Sequence, residues 1–191
     1  MTELGAGLAE LGVQRPQRAD AARNFDALLA AAREVFAEQG ADASLEDVAR
    51  RAGVGIGTLY RNFPTRRDLV ERLYIGEVAD LCATARDVAD SPPWEALAGW
   101  LQRFVGYVAT KQAIKEALSA GSPVFAACRA EMYGAGTPLF DRAQAAGEVR
   151  TDLTFDDLVK MLAGITSVSF TDDAQRDRVV AVALDGVRTH R

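Results

Sequence analysis

Residues 44–68 read SLEDVARRAGVGIGTLYRNFPTRRD, and this stretch decides the fold. Ser44 followed by Asp47 has the S-x-x-D form of a capping box, which satisfies free N–H donors at a helix start. Leu45, Val48, Ala49 and Ala52 then fall at i, i+3, i+4 and i+7, the spacing of one buried helical face. Gly53 and Gly55 end that helix. The pattern predicts a second helix from Ile56 to Asn62, with Ile56, Leu59 and Phe63 turned toward the first and Thr58, Tyr60 and Arg61 outward. Pro64 closes it, because the residue before a proline is pushed out of the helical region. Thr65 with Asp68 is another capping box and opens the next helix.

Two short helices set across a tight turn suit DNA, because the turn presents the second helix steeply enough to enter a major groove. Within Arg50–Asp68 the charges are Arg50, Arg51, Arg61, Arg66 and Arg67 against Asp68 alone, an arrangement that attracts phosphate. The expected DNA-contacting set is Gly57, Thr58, Tyr60 and Arg61 on the second helix, with Ser44 and Arg66 beside capped helix starts. Arg61 suits a guanine or a phosphate, Tyr60 a phosphate, and Thr58 a thymine methyl or a backbone oxygen. A solvated helix face is the plain alternative, and for Ser44 a purely structural cap.

The run VGIGTLYRNFPTRRDLV closely resembles the recognition-helix signature of the TetR/AcrR family of transcriptional regulators. The likeness extends upstream through LLAAAREVFAEQGADASLEDVARRAGV, covering roughly residues 23–75. The stretch AQAAGEVRTDLTFDDLV resembles C-terminal parts of members of that family more faintly. The resemblance implies an all-α homodimer: an N-terminal three-helix helix-turn-helix domain that binds operator DNA, and a C-terminal helical domain of ligand binding and dimerisation, about nine helices in all. It departs at Arg61, where many relatives carry histidine or another residue, so base preference does not transfer.

The chain has 191 residues, 49 % of them hydrophobic, enough for a packed core in one large or two small domains. Its net charge of −5 argues against coating nucleic acid by bulk attraction, so binding must come from a local patch. Cys82 and Cys128 form no C-x-x-C pair and read as separate reduced thiols. No run approaches a membrane span and the start MTELGAG lacks the regions of a signal peptide, so a cytoplasmic location is expected.

Residues 1–19 fit no period and read as a flexible tail, whose Arg15 and Arg18 offer a minor-groove arm as the alternative. The DNA-binding domain is expected over residues 20–75 and the second domain over residues 76–191. Phe25, Leu28, Leu29, Ala32 and Phe36 stripe a helix from Asp20 to Gln39, and Leu69 to Val88 a long helix leaving the DNA-binding domain. Beyond Ser91-Pro92-Pro93, helices are expected on Trp94–Val108, Gln112–Ser119 and from Pro123, with a kink or break at Gly134, Gly136 and Pro138 and a resumption over Leu139–Ala146. The final pair is expected over Thr154–Phe170 and Asp173–Arg188; its apolar faces could complete a monomer's core, whereas the TetR resemblance implies pairing with a second copy, which Ala163, Gly164, Ala181, Ala183 and Gly186 are small enough to allow.

The TetR-like arrangement would surround an effector pocket with Trp100, Phe104, Tyr107, Leu118 and Phe125, and with Cys128, Met132, Tyr133, Met161 and Ile165. Each also fits plain core, since an aromatic stripe at helical spacing is what packing alone produces. The only histidine, His190, lies next to the C-terminus, and no G-x-S-x-G, H-E-x-x-H or P-loop occurs, so no enzyme, metal or cofactor is expected. The run Gly53-Val54-Gly55-Ile56-Gly57 imitates a dinucleotide fingerprint but follows a helix where a strand is required. Together with the resemblance, these residues imply a ligand-responsive repressor on a palindromic operator; the rival is a helical small-molecule sequestering protein without operator binding.

Overall fold

The computed structural model describes residues 11–114 and 123–189. They form eight α-helices: α1 (Ala19–Gln39), α2 (Leu45–Arg51), α3 (Ile56–Asn62), α4 (Arg66–Asp87), α5 (Pro93–Ile114), α6 (Pro123–Ala145), α7 (Phe155–Ile165) and α8 (Asp173–Val187). A single 3-10 turn, Gly40–Asp42, joins α1 to the strandless remainder of the N-terminal motif. Among the described residues the only pairing of β type is an isolated bridge between Val149 and Arg188. The expected helix on Gln112–Ser119 is not separate where it is described, since Gln112–Ile114 continue α5; the rest, with Leu118, lies outside the described residues.

The described residues divide into two compact units: those of Met1–Ala79 and Thr110–Arg129, and those of Asp80–Ala109 and Ala130–Arg191. In the first, α1 buries Ala22, Phe25, Leu28, Ala32, Val35 and Phe36, a continuous stripe at helical spacing. The rings of Phe25 and Phe63 meet with centroids 4.8 Å apart, fastening the end of α3 to α1. The α2–α3 turn is a Schellman motif: Gly53 adopts φ 70°, its N–H donates to the Arg50 carbonyl at 3.1 Å, and Val54 N–H donates to the Ala49 carbonyl at 3.0 Å. Glycine supplies that left-handed conformation without the Cβ clash of other residues.

The second unit is built around the aromatic side chains of α5, α6 and α7. Trp100 stacks on Phe104 at 5.6 Å and tilts against Phe155 at 5.6 Å, and Tyr133 meets Phe155 edge-on at 5.4 Å. Of the expected kink or break at Gly134, Gly136 and Pro138, a break does not occur: α6 runs through all three. Its buried positions Met132, Ala135, Gly136, Leu139, Phe140 and Ala143 keep one uninterrupted helical face. Gly136 is there for closeness, because a Cβ on it would lie 2.3 Å from Phe155 Cζ and 2.7 Å from Trp100 Cη2. Pro138 removes one N–H on the exposed side, where water can solvate the Gly134 carbonyl it leaves behind.

The helix expected to reach Phe170 stops at Ile165. Thr166 Oγ1 donates to the Leu162 carbonyl and Ser167 Oγ to the Gly164 carbonyl, both at 2.7 Å, so side chains take the acceptors that further turns would have used. At its start, Thr154 and Asp157 form the expected reciprocal capping box. The C-terminal segment is tied back by Arg150 N–H to the Val187 carbonyl at 3.1 Å and Thr189 N–H to the Glu148 carbonyl at 3.2 Å. Among the described residues no helix is long and apolar enough to cross a membrane.

Candidate nucleic-acid interface

Ser44 caps α2 by accepting from the Asp47 N–H at 3.2 Å, but the reciprocal arm of the expected box is absent. Gln39 Oε1 accepts the Ser44 N–H at 3.4 Å instead, and the Asp47 carboxylate accepts from Arg50 at 2.7 Å and from Gln39 Nε2 at 3.3 Å. Gln39 ends α1, so the cap is completed from the neighbouring helix, a partner that the S-x-x-D spacing could not reveal. At Thr65 both arms form: its N–H donates to Asp68 Oδ2 at 2.9 Å, and its hydroxyl accepts the Asp68 N–H at 3.1 Å.

On α3, Leu59 and the following Phe63 are fully buried, while Tyr60 is 46 % and Ile56 38 % exposed. Ile56 is therefore only partly covered, where the spacing expected it to be turned toward α2 with Leu59 and Phe63. Thr58 is half-buried and Gly57, Tyr60 and Arg61 are exposed, so the outward set is presented together on one short helix. Asn62 Nδ2 donates to the Thr58 carbonyl at 2.8 Å, steadying the last turn.

The arginine cluster is less bare than its window of sequence implied. Arg51 makes a two-pronged bond to Glu38 at 2.6 and 2.7 Å, Arg50 pairs with Asp47, and Arg67 with Glu71 at 2.8 Å. Their bonds hold the Glu38 and Asp47 carboxylates below the usual range, chiefly through the Arg51 bond to Glu38 and the Arg50 bond to Asp47. Glu34, Glu38 and Glu71 lie outside Arg50–Asp68, which is why counting charges in that segment overstated its field. Arg61 meets no carboxylate among the described residues; it donates to the Gly57 carbonyl at 3.1 Å and the Thr58 hydroxyl at 3.0 Å. Arg66 donates to the Ala43 carbonyl and sits 4.9 Å from the centroid of the Phe36 ring, spanning from α4 to α1.

Of the expected tail, residues 11–18 are described: Arg15 makes a two-pronged bond to Asp26 on α1, and Gly12 turns at φ 68° against the Ile75 side chain. Residues 1–10 and His190 lie outside the described residues.

The expected effector-lining residues divide between the units. Phe125 and Cys128 belong to the first, where Phe125 meets Tyr74 at 5.0 Å. Trp100, Phe104, Tyr107 and Met132 are buried in the second, and Tyr133, Met161 and Ile165 are half-buried there. Tyr133 donates its hydroxyl to Asp156 Oδ1 at 2.6 Å. The buried Trp100 Nε1 has no acceptor among the described residues. A separate groove of about 500 Å³ opens between α5 and α8, floored by Val105, Gly106, Val180 and Leu184 and rimmed by Gln102, Arg176 and Asp177; none of the expected lining residues borders it.

Comparison with known proteins agrees with this geometry. Residues 28–73 match the model of bacterial regulatory proteins of the tetR family, and residues 92–189 match the C-terminal domain of SbtR-like transcriptional regulators. A TetR transcriptional regulator of Streptomyces coelicolor is 44 % identical and superposes with a TM-score of 0.72, the match covering 87 % of this chain and 99 % of that one. One from Mycobacterium vanbaalenii is 32 % identical with a TM-score of 0.68, covering 91 % of this chain and 100 % of that one. The transcriptional repressor KstR2 of Mycobacterium tuberculosis is 39 % identical over 75 residues, 38 % of each chain, so the chain spans well under half the length of that curated relative. On the helix-turn-helix geometry and these matches along nearly its whole length, the chain belongs to the tetR family of bacterial regulatory proteins.

Proposed function

We propose that the protein is a cytoplasmic, ligand-responsive repressor that binds a palindromic operator as a homodimer. The observation that carries this reading is α3 itself: a seven-residue helix on a Schellman turn, its inner side anchored by Leu59 and Phe63 and its outer side presenting Gly57, Thr58, Tyr60 and Arg61. Arg61, which has no carboxylate partner, reaches a base edge or phosphate. Arg50 and Arg51 exchange partly exposed carboxylates for phosphates at little cost, since surface ion pairs contribute under about 1 kcal/mol, whereas Arg67 stays paired with Glu71, only 12 % exposed. Ser44 offers its capped helix start, and Arg66 acts by holding α4 to Ala43 and Phe36. The mycobacterial relative is a repressor, which favours that sign of regulation.

Two apolar stripes support the homodimer. On α8, Val179, Val182, Ala183 and Gly186 recur at i, i+3, i+4 and i+7, with Val182 74 % exposed. Beside it, Met161 and Ile165 lie one turn apart on α7, and Val168, in the segment that follows the helix, is 60 % exposed. A second copy covering both stripes would form a four-helix bundle, and would place Met161 and Ile165 at the interface rather than around the effector.

In this reading the effector would lie against Trp100, Phe104 and Tyr133, where the unpartnered indole N–H suits an acceptor oxygen. Its signal would pass along α4, whose chain continues from the first unit into the second. Whatever the effector, it must bind the released conformation more tightly than the DNA-binding one.

Fluorescence anisotropy with the DNA flanking the protein's own gene, a shuffled control and two salt concentrations tests the reading. Binding to the native fragment alone, weakened by salt as counterions are released, is the expected result. No binding of any duplex at low salt favours the sequestering protein.

A further inference from the structure

Large apolar side chains exposed among the described residues fall in two places. Val179 and Val182 lie on α8 and Val168 in the segment between α7 and α8, and Ile56 and Tyr60 stand one turn apart on α3. The core does not use Ile56, since Leu59 and Phe63, both fully buried, already fill the inner side of this short helix. The residues flanking Ile56 are Gly55 and Gly57, and a Cβ on either would meet no atom within 4 Å. Ile56 thus stands at the start of α3 with 38 % of its surface exposed, between two residues that carry no side chain.

We infer that Ile56 is a specificity-determining residue that reads a thymine methyl in the major groove, an assignment that rests on the operator-binding reading above. Phosphates and base edges offer charges, donors and acceptors, and the one apolar group in the major groove is the C5 methyl of thymine. Isoleucine has neither donor nor acceptor. Opposite a cytosine or adenine amino group it would desolvate a polar group without returning a hydrogen bond. Opposite thymine it buries methyl against methyl. The bare glycine backbone on either side lets the helix start approach the base edges, while Tyr60 and Arg61 on the following turn supply the polar contacts. Ile56 then selects the base pair that the polar residues cannot distinguish by charge.

The test begins by selecting the tightest duplex from a random library with the full chain. Each thymine is then replaced singly by deoxyuridine, which removes the methyl and leaves the pairing edge intact. At one thymine in each half-site the wild-type protein should weaken about four-fold, and with both symmetric thymines replaced about fifteen-fold. Ile56→Ala should bind the thymine and uracil duplexes alike at that position while keeping its melting temperature and its discrimination elsewhere. Indifference of the wild type to every such replacement, or retention of the sensitivity by Ile56→Ala, overturns the assignment and leaves operator binding standing. Enrichment of no duplex removes the operator-binding reading, and this assignment with it.

Discussion

Arg61 donates from Nη2 to the Thr58 hydroxyl at 3.0 Å, one turn back along its own helix, and from Nε to the Gly57 carbonyl at 3.1 Å. The guanidinium is thereby folded along α3 and satisfied by exposed acceptors. Releasing such bonds to water costs about 1 kcal/mol each or less, so DNA can recruit the side chain without unfolding anything. Arg61→Ala should weaken operator binding about ten-fold with helicity preserved. If the contact is to phosphate, the salt slope falls by about 1; if to guanine, preference relaxes at one base pair. Unchanged affinity in a titration would take Arg61 out of the interface.

Gly136 can be judged on stability alone. Alanine is the better helix former by about 1 kcal/mol, yet its Cβ would lie 2.3 Å from Phe155 Cζ and 2.7 and 2.9 Å from two Trp100 ring carbons. Both rings are held by other aromatic contacts and cannot step aside cheaply. Gly136→Ala should therefore destabilise by about 2–3 kcal/mol, read as a lower urea midpoint. A stability equal to wild type or higher would mean that α6 stands farther from these rings.

Val182 tests the dimer. At 74 % exposure it contributes almost nothing to the core of one copy. Val182→Asp should leave a monomer folded, with an unchanged far-UV spectrum, and shift sedimentation equilibrium from dimer to monomer by placing a charge in the proposed apolar seam. Operator affinity should fall with it, because two reading helices would no longer be joined. A dimer undisturbed by aspartate would move the interface off this stripe.

Acid should weaken the fold in a defined direction. The bond from Arg15 lowers Asp26, that from Arg51 lowers Glu38, that from Arg50 lowers Asp47, and that from Thr154 lowers Asp157 below the usual carboxylate range. A carboxylate whose folded value is depressed stabilises the protein above its unfolded value and loses that contribution as pH falls through the folded one. The melting temperature should be flat above about pH 5 and decline below about pH 4. Because these groups are at the surface, the decline should be shallow and smaller at high ionic strength. A maximum near pH 3 would contradict the assignment.

Burial pushes the Cys82 thiol up to about 11, so at pH 8 it is neutral and poorly nucleophilic. Cys128 is buried too. Iodoacetamide at pH 8 should label both thiols only after denaturant is added, and prompt labelling of Cys82 in the native protein would show an opening of the second unit.

What could be read in the sequence was the chemistry that acts within a few residues. The bounds of α3, the glycine turn before it, the Thr65–Asp68 and Thr154–Asp157 caps and the stripe of α1 all follow from hydrogen bonds and spacings spanning one or two turns. The family signature rests on the same local features. Tertiary structure decided the matters that depend on which side chains meet across space. Gly136 and Pro138 look like a break until Trp100 and Phe155 are seen to need the room and the burial face is seen to continue past them. The arginines near α3 look unopposed until Glu38 of α1 is brought against Arg51. Ile56 fits a core stripe by spacing, but a seven-residue helix has room to bury only one line of contacts, and Leu59 with Phe63 already occupies it. Local propensity sets where each helix starts and stops; the choice of partner, and hence of which residues remain free to touch DNA, is made only when distant segments compete for the same surface.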